Sequence, residues 1–154
     1  IKNPWRLACA NFSGYTEGYA TYVELYSLNY IDADEEIREL SETMSVYEHA
    51  VVALIDIGIH YEGWSVKDLE KFCNEKGLDG SQAQAIYDQI CYNPTSFLSY
   101  YVGYQEIIDL KAEAQKALGD KFTDLGFHTA LLESGQAPFS VVERHINAYV
   151  DANK

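Results

Sequence analysis

The chain has 154 residues, of which 47% are hydrophobic and 23% are charged, and its formal net charge is −13 at pH 7. These proportions are ordinary for a soluble globular protein, and the length suffices for one domain with a substantial core. The acidic balance argues against nucleic acid and anionic membranes as partners, because both would repel the chain. No apolar run is long enough to span a bilayer, so membrane insertion is not expected.

The beginning of the sequence has neither a Met nor a targeting signal. We therefore expect a processed product or a fragment, and both a cytoplasmic and an exported location stay open. The spacing of the three cysteines, Cys9, Cys73 and Cys91, matches no zinc finger and no redox pair. We expect all three to be small buried apolar residues.

The first predicted helix covers about Thr16–Ile31, with Thr16 as its N-cap and Glu17 in its first turn. Glu17 and Glu24 lie seven residues apart, which places them two turns apart on one helical face. An adjoining face carries aromatic residues at helical spacing, namely Tyr19, Tyr22, Tyr26 and Tyr30. Burying a Glu on such a helix is costly unless its carboxylate meets a cation, a metal or a hydrogen-bond donor.

The second predicted helix covers about Glu35–His60, after a break at Asp32–Asp34. Its first half is acidic and its second half is apolar, so the second half is expected to enter the core. Asp56 lies within that apolar half. His60 follows in a turn flanked by glycines, where binding residues are often found.

The middle of the chain predicts three further helices. Ser65–Asp68 resembles a capping box and begins a short helix that stops at Gly77, and Ser81–Gln84 is a similar box before a helix to about Tyr92. Pro94 occupies the first turn of a long helix that ends near Leu118. Gly103 lies inside this helix, where glycine costs about 1 kcal/mol relative to alanine. It therefore indicates the close approach of another backbone or of a ligand.

Two final helices are predicted over about Thr123–Ser134 and Pro138–Ala152. No stretch alternates with a period of two for long enough to demand a strand. The predicted fold class is all-α, with about seven helices in an irregular bundle.

The residues alone identify no catalytic motif. No two histidines show the i, i+4 spacing of helical zinc ligands, and neither a nucleophile elbow nor a phosphate-binding loop is present. An isolated histidine is more often a core or surface residue than a ligand. The residues alone therefore indicate a helical domain, and they do not explain why its first helix combines aromatic with acidic side chains.

Four segments nevertheless resemble, in the same order, the motifs of the bacterial domain-of-unknown-function 885 family. Thr16–Glu24 is similar to its EGWAxYxE segment, and Asp56–Ser65 is similar to its DTGIH…GWS segment. Asn93–Gly103 resembles PGQxxxYxxG, and Leu118–Pro138 resembles LG…FHxxLLxxGxxP. Each motif is short, but four in register cover nearly all of the chain.

Two positions depart from the family pattern. Tyr19 stands where the family usually has Trp, which is a mild aromatic exchange. Thr95 and Ser96 replace a Gly-Gln pair, so any contact made by that turn differs here.

Members of that family resemble gluzincin zinc metallopeptidases, in which an HExxH helix supplies two His ligands and a later Glu supplies the third. The resemblance implies that Glu17 is this third zinc ligand and that Glu24 is an acceptor that orients a ligand His. It also implies three catalytic residues that donate hydrogen bonds to the substrate carbonyl or oxyanion, Tyr100, His60 and His128. The expected substrate-binding residues are Tyr19, Asp56 and Trp64.

The HExxH helix is absent from this sequence. The resemblance therefore implies one helical domain over residues 1–154 that forms the C-terminal lobe of a larger metallopeptidase-like fold. Its expected partners are a peptide substrate, zinc and the missing N-terminal part of the same polypeptide, without which it is inactive. A homodimer through the face left exposed is also compatible with this interpretation. The alternative is a non-enzymatic helical module whose Tyr-rich groove binds peptide or carbohydrate.

Overall fold

A computed structural model describes residues 11–154 of the chain. Within this range the ordered elements are helical and no strand occurs, so the all-α prediction is confirmed. The described residues form seven α-helices: α1 (Ser13–Ser27), α2 (Glu35–His60), α3 (Val66–Glu75), α4 (Ala83–Tyr92), α5 (Leu98–Leu118), α6 (Asp124–Ser134) and α7 (Phe139–Asn153). None of them combines the length and the apolar content needed to cross a bilayer.

The chain divides into two compact units. Among the described residues, the first contains residues 11–26 together with Val102–Lys154, and the second contains Ser27–Tyr101. The expectation of a single domain over residues 1–154 stays a prediction.

The first unit is organised by a close crossing of α1 and α5. A Cβ atom added to Gly103 would overlap the carbonyl group of Gly14 and would lie 2.9 Å from the Cα of Gly18. Only glycine allows two helical backbones to approach so closely. The close approach predicted at Gly103 is therefore confirmed, and the approaching group is backbone.

Helices α6 and α7 complete the core of the first unit. Phe127 and Leu131 on α6 are fully buried, as are Val142 and Ile146 on α7. The hydroxyl of Tyr15, a buried residue of α1, donates a hydrogen bond of 2.8 Å to the carbonyl of Leu131. This bond links α1 to α6 and satisfies a polar group that burial would otherwise make costly.

The second unit has its own apolar core, built from the second half of α2 and from α3 and α4. The cluster consists of Val51, Ile55, Ile59, Leu69, Cys73, Ala83 and Ile90. Helix α2 has the predicted bounds, Glu35–His60, and its second half is the buried half, as its composition predicted. Both hydrogen bonds of the predicted capping box are present between Ser65 and Asp68 at the start of α3.

Two predicted helix starts are wrong. Helix α1 begins at Ser13, and Thr16 lies inside it, where its hydroxyl donates to the Phe12 carbonyl and does not cap the helix. Helix α4 begins at Ala83, so Ser81 does not cap it as the predicted capping box at Ser81–Gln84 required. Instead, Asp79 accepts the backbone N–H of Ser81 at the start of a short 3₁₀ turn.

The predicted start of the long helix at Pro94 is also wrong, since α5 begins at Leu98. Thr95 has a φ of +65°, a left-handed conformation that no helical first turn contains. The prediction for the cysteines is confirmed for Cys73, which is buried, and wrong for Cys91, which is exposed. Cys9 lies outside the described residues.

Candidate functional site

The residues predicted to form the site belong to both units. The first unit contains Glu17, Tyr19, Glu24 and His128, and the second contains Asp56, His60, Trp64 and Tyr100.

Glu17 lies on α1, immediately before the glycine that fixes this helix against α5. Its side chain is half-buried, whereas Glu24, two turns further along, is exposed. The hydrogen bonds and ion pairs within residues 11–154 do not involve the Glu17 carboxylate. Glu17 is thus a half-buried residue on a firmly held helix, and its carboxylate has no partner among the described residues.

Tyr19 is half-buried on the same helix and packs against the aromatic core. Its ring lies nearly parallel to the ring of Tyr15, with 6.1 Å between the centroids and 11° between the planes. Such offset stacking fixes the position of the Tyr19 ring.

His128 belongs to a chain of polar contacts that joins α1, α5 and α6. Its Nε2 atom lies 2.6 Å from the hydroxyl of Tyr22. The Nζ atom of Lys111 lies 3.1 Å from the same hydroxyl and 2.7 Å from Oδ1 of Asp124. The Lys111 side chain is only 15% exposed and also lies over the ring of Tyr26, 4.7 Å from its centroid.

The direction of each bond in this chain follows from chemistry. Lys111 can only donate, so the Tyr22 oxygen accepts from it and the Tyr22 hydrogen is available to His128. We assign Nε2 of His128 as the acceptor of that hydrogen, which makes the ring neutral with its proton on Nδ1. The order of donation is Lys111 to Tyr22 to His128, with Asp124 balancing the ammonium charge.

The pKa shifts agree with this assignment. Burial and the neighbouring Lys111 charge lower the pKa of His128, which keeps the ring neutral. Burial also raises the pKa of Tyr22, so its phenol keeps its proton. Burial works to lower the pKa of Lys111, but its hydrogen bonds to Asp124 and Tyr22 outweigh that effect and leave the pKa raised.

In the second unit, Asp56 is a fully buried carboxylate that holds His60. Its Oδ1 atom lies 2.7 Å from Nδ1 of His60 and accepts the backbone N–H of Thr95 at 3.2 Å. The backbone carbonyl of Asp56 also lies 3.1 Å from the same ring nitrogen. Two acceptors at Nδ1 require the proton there, so Nε2 accepts in the neutral ring and donates only in the imidazolium.

Oδ2 of Asp56 is the one buried side-chain oxygen or nitrogen within residues 11–154 that has no hydrogen-bond partner. Leaving such an atom unsatisfied costs about 1–3 kcal/mol. Buried polar atoms without partners often lie at functional sites or beside a bound water.

Trp64 packs against the helix that carries His60. A Cβ atom added to Gly58 would overlap the indole ring, and the Trp64 backbone N–H donates to the Gly58 carbonyl at 2.9 Å. The indole also packs against Phe72, with 5.1 Å between ring centroids. Trp64 therefore holds the turn after His60 in place by packing.

Tyr100 lines a groove in the second unit. The groove has a volume of about 270 Å³, and its other lining residues are Glu48, His49, Val52 and Phe97. The rings of Tyr100 and His49 have centroids 6.0 Å apart. His49 uses Nδ1 to donate to the Ser45 carbonyl at 2.8 Å, which leaves Nε2 as an acceptor.

Sequence reasoning missed Lys111, Asp124 and His49 as members of these clusters. Lys111 and Asp124 come from different helices, and no local spacing relates either of them to Tyr22. The groove position of His49 likewise depends on Tyr100, far away in the chain. Among residues 11–154, no three His, Cys, Asp or Glu side chains converge in a way that could hold a metal ion.

Comparison with known proteins gives a family and a fold. The family model described as "bacterial protein of unknown function (DUF885)" matches residues 2–146. The crystal structure of a candidate lipoprotein from Colwellia psychrerythraea is similar, with a TM-score of 0.74 and 27% sequence identity. The match covers 91% of this chain and 24% of that protein, so the chain spans about a quarter of its length. No curated protein matches the chain. The chain thus belongs to the DUF885 family of bacterial proteins of unknown function.

Proposed function

We propose that this chain is the C-terminal part of a zinc-dependent peptidase, to which it contributes one metal ligand and residues that contact a peptide substrate. Glu17 is the ligand. The other zinc ligands would come from polypeptide outside this chain, because residues 11–154 contain no complete metal site. By itself the chain is then inactive.

The observation that carries the proposal is the state of the Glu17 carboxylate. Residue Glu17 is half-buried, and no described residue pairs with its carboxylate. The neighbouring Gly18 is packed against Gly103, which fixes the position of the helix that carries Glu17. A carboxylate held in this way suits a cation supplied from elsewhere.

The donor chemistry of Glu17 fits zinc, which accepts a carboxylate oxygen alongside two imidazoles. When bound, such a metal polarises the scissile carbonyl and lowers the pKa of a coordinated water. In the proposal, Glu24 orients one of the imidazole ligands by accepting its second N–H.

The remaining residues in the proposal act on the substrate side. His60 is fixed by Asp56 and presents Nε2, which donates to a developing oxyanion when the ring is protonated. Tyr100 lines the groove in the second unit and would contact the substrate there. Because His128 already accepts from Tyr22 through Nε2, only its Nδ1 proton can serve as a donor to substrate.

The test uses the whole polypeptide from which this chain is drawn, with zinc content and peptide hydrolysis as its readouts. Glu17→Gln keeps the size of the side chain and removes the anionic ligand, so zinc affinity should fall by at least about tenfold and hydrolysis should be lost. Glu143→Gln, at an exposed position on α7, is the matched control and should change neither readout. Unchanged zinc affinity in Glu17→Gln would remove this residue from the metal site and contradict the proposal.

The groove at Tyr100 supports a second candidate function, a binding module without catalysis. It combines apolar walls with a carboxylate, an imidazole and a phenol, which suits short peptides or carbohydrates. In that case the chain alone should bind such a ligand, as measured by calorimetry, and Tyr100→Ala should abolish the binding. Retention of binding by Glu17→Gln would then separate this function from the peptidase.

A further inference from the structure

The first half of α2 carries an unusual row of exposed apolar side chains. Ile37, Leu40, Met44 and Tyr47 are between 42% and 58% exposed. Isolated exposed apolar residues are common, but a contiguous row of large ones more often marks an interaction surface. We call these four residues the α2 seam.

The spacing of the α2 seam is that of a coiled-coil interface. Successive members are three, four and three residues apart, and Val51 continues the series four residues later. This is the a and d pattern of a heptad, which places the side chains in a narrow stripe suited to another helix. A β-strand or an irregular loop would not match this stripe over three turns of helix.

The α2 seam also runs into an apolar groove of the second unit. Tyr47 and Val51 line this groove together with Cys73, Ile86 and Ile90, and its volume is about 480 Å³. A helix that lies along the seam can therefore place a large apolar side chain in the groove at one end. This continuity resembles helix-in-groove recognition, in which a few apolar anchors provide most of the affinity.

The charges around the α2 seam indicate what kind of helix it accepts. Between residues 34 and 48 the chain carries six carboxylates and one basic side chain, Arg38. Two of these carboxylates, Glu36 and Glu48, occupy the g and e positions that border the seam. Arg38 is engaged locally, since its guanidinium donates to the carbonyl of Ala33. A second copy of this acidic surface would be repelled, whereas a helix with basic borders would be attracted.

We propose that the α2 seam is the docking site of a partner protein's amphipathic helix, one with apolar a and d positions bordered by Lys or Arg. The interaction is independent of Glu17 and of any metal, so it stands or fails separately from the peptidase.

The experiment uses the full chain and two synthetic helical peptides of three heptads, both with Leu at a and d. One peptide has Lys at e and g, and the other has Glu there. Calorimetry should show that the Lys peptide binds at least tenfold more tightly than the Glu peptide, and that added salt weakens its binding.

Leu40→Asp and Met44→Asp separate docking from general charge attraction. Each variant adds one negative charge, so simple attraction of a basic peptide would strengthen, whereas docking on the seam should weaken at least tenfold. Gln115→Glu adds the same charge on an exposed part of α5 and should leave affinity unchanged. Circular dichroism checks that all three variants stay folded.

Three outcomes would overturn the proposal. The first is the absence of binding by the Lys peptide. The second is equal or tighter binding of that peptide to Leu40→Asp and Met44→Asp, which would show charge attraction alone. The third is a dimer of the chain that Met44→Asp dissociates, which would show that a second copy covers the seam.

Discussion

The two polar clusters of the molecule differ in how completely their groups are paired. In the first unit, Asp124, Lys111, Tyr22 and His128 form a continuous series in which each side chain is hydrogen-bonded to the next. In the second unit, Asp56 has one buried oxygen without a partner, and His60 has a side chain that is 27% exposed. A closed series mainly stabilises a fold, whereas an incompletely paired group is available to bind something else. By this criterion, His60 is a better candidate than His128 for contact with substrate.

The strongest test of this comparison removes the helix crossing on which the first cluster depends. Gly103→Ala places a Cβ against the backbone of α1, where no flexible side chain can move aside. We expect the free energy of unfolding to fall by about 3 kcal/mol, because α1 must shift away from α5. Urea denaturation measures this change.

Gly77→Ala serves as the control for that substitution. Gly77 has a φ of +73° and nothing within 4 Å of its added Cβ, so its replacement tests backbone conformation alone. The free energy of unfolding should fall by about 1 kcal/mol. Equal losses at the two glycines would contradict a steric role for the crossing.

Asp56→Asn should have the next largest effect. The amide keeps the shape of the carboxylate but puts an NH₂ group at the buried Oδ2 position and weakens the bond to His60, so we expect a loss of about 2 kcal/mol in unfolding free energy. The amide also holds the Nδ1 proton of His60 less strongly than the carboxylate does. Nitrogen-15 chemical shifts of the His60 ring should therefore move toward a mixture of tautomers, and unchanged shifts would argue against a positioning role for Asp56.

Lys111→Met tests the closed series. It keeps most of the buried aliphatic stem but removes the donor to Tyr22 and the partner of Asp124. Because Asp124 is half-exposed and can be hydrated, we expect a loss of only about 1–2 kcal/mol, measured by urea denaturation. Lys116→Met, on the exposed side of the same helix, should be nearly neutral. A neutral result at Lys111 itself would mean that the series contributes little to the fold.

The smallest expected effect is a pH dependence that comes from His128. Burial lowers its pKa in the folded chain, so at mildly acidic pH the unfolded chain binds more protons than the folded one. This contribution to stability is fully present above the unfolded pKa of about 6.5 and is lost as the pH falls from there toward the folded pKa. The Tm should decline by a few degrees over this range. In His128→Gln, whose side-chain oxygen can replace Nε2 as the acceptor, that part of the decline should disappear.

Much of the fold could be predicted from local patterns. The bounds of α2 and the Ser65 capping box depend on residues within a few turns of helix. The glycine at position 103 was by itself enough to indicate a close approach, although the approaching helix α1 is distant in the chain. The start of α5 could not be predicted in this way. The segment after Pro94 is held by a hydrogen bond from Thr95 to Asp56, 39 residues earlier in the chain. A local reading of Pro94 as a first-turn residue cannot include that bond.

The candidate site shows the same limit of local reasoning. The i, i+4 spacing of Asp56 and His60 is a local feature of the sequence, and the two side chains are paired in the structure. The partners of His128 lie on α1 and α5, so its engagement with Tyr22 depends on tertiary packing. The role of Glu17 as a zinc ligand stays a prediction, because it depends on groups that this chain does not supply.

The packing of Trp64 on Gly58 gives the protein a built-in optical reporter. Trp64 is one of two tryptophans in the chain, and its indole lies against the helical turn that ends in His60. Replacing the other tryptophan, Trp5, with Phe would leave an emission spectrum that comes from this turn alone. Ligands that reach His60, or substitutions that loosen Asp56, could then be followed by fluorescence without any added label.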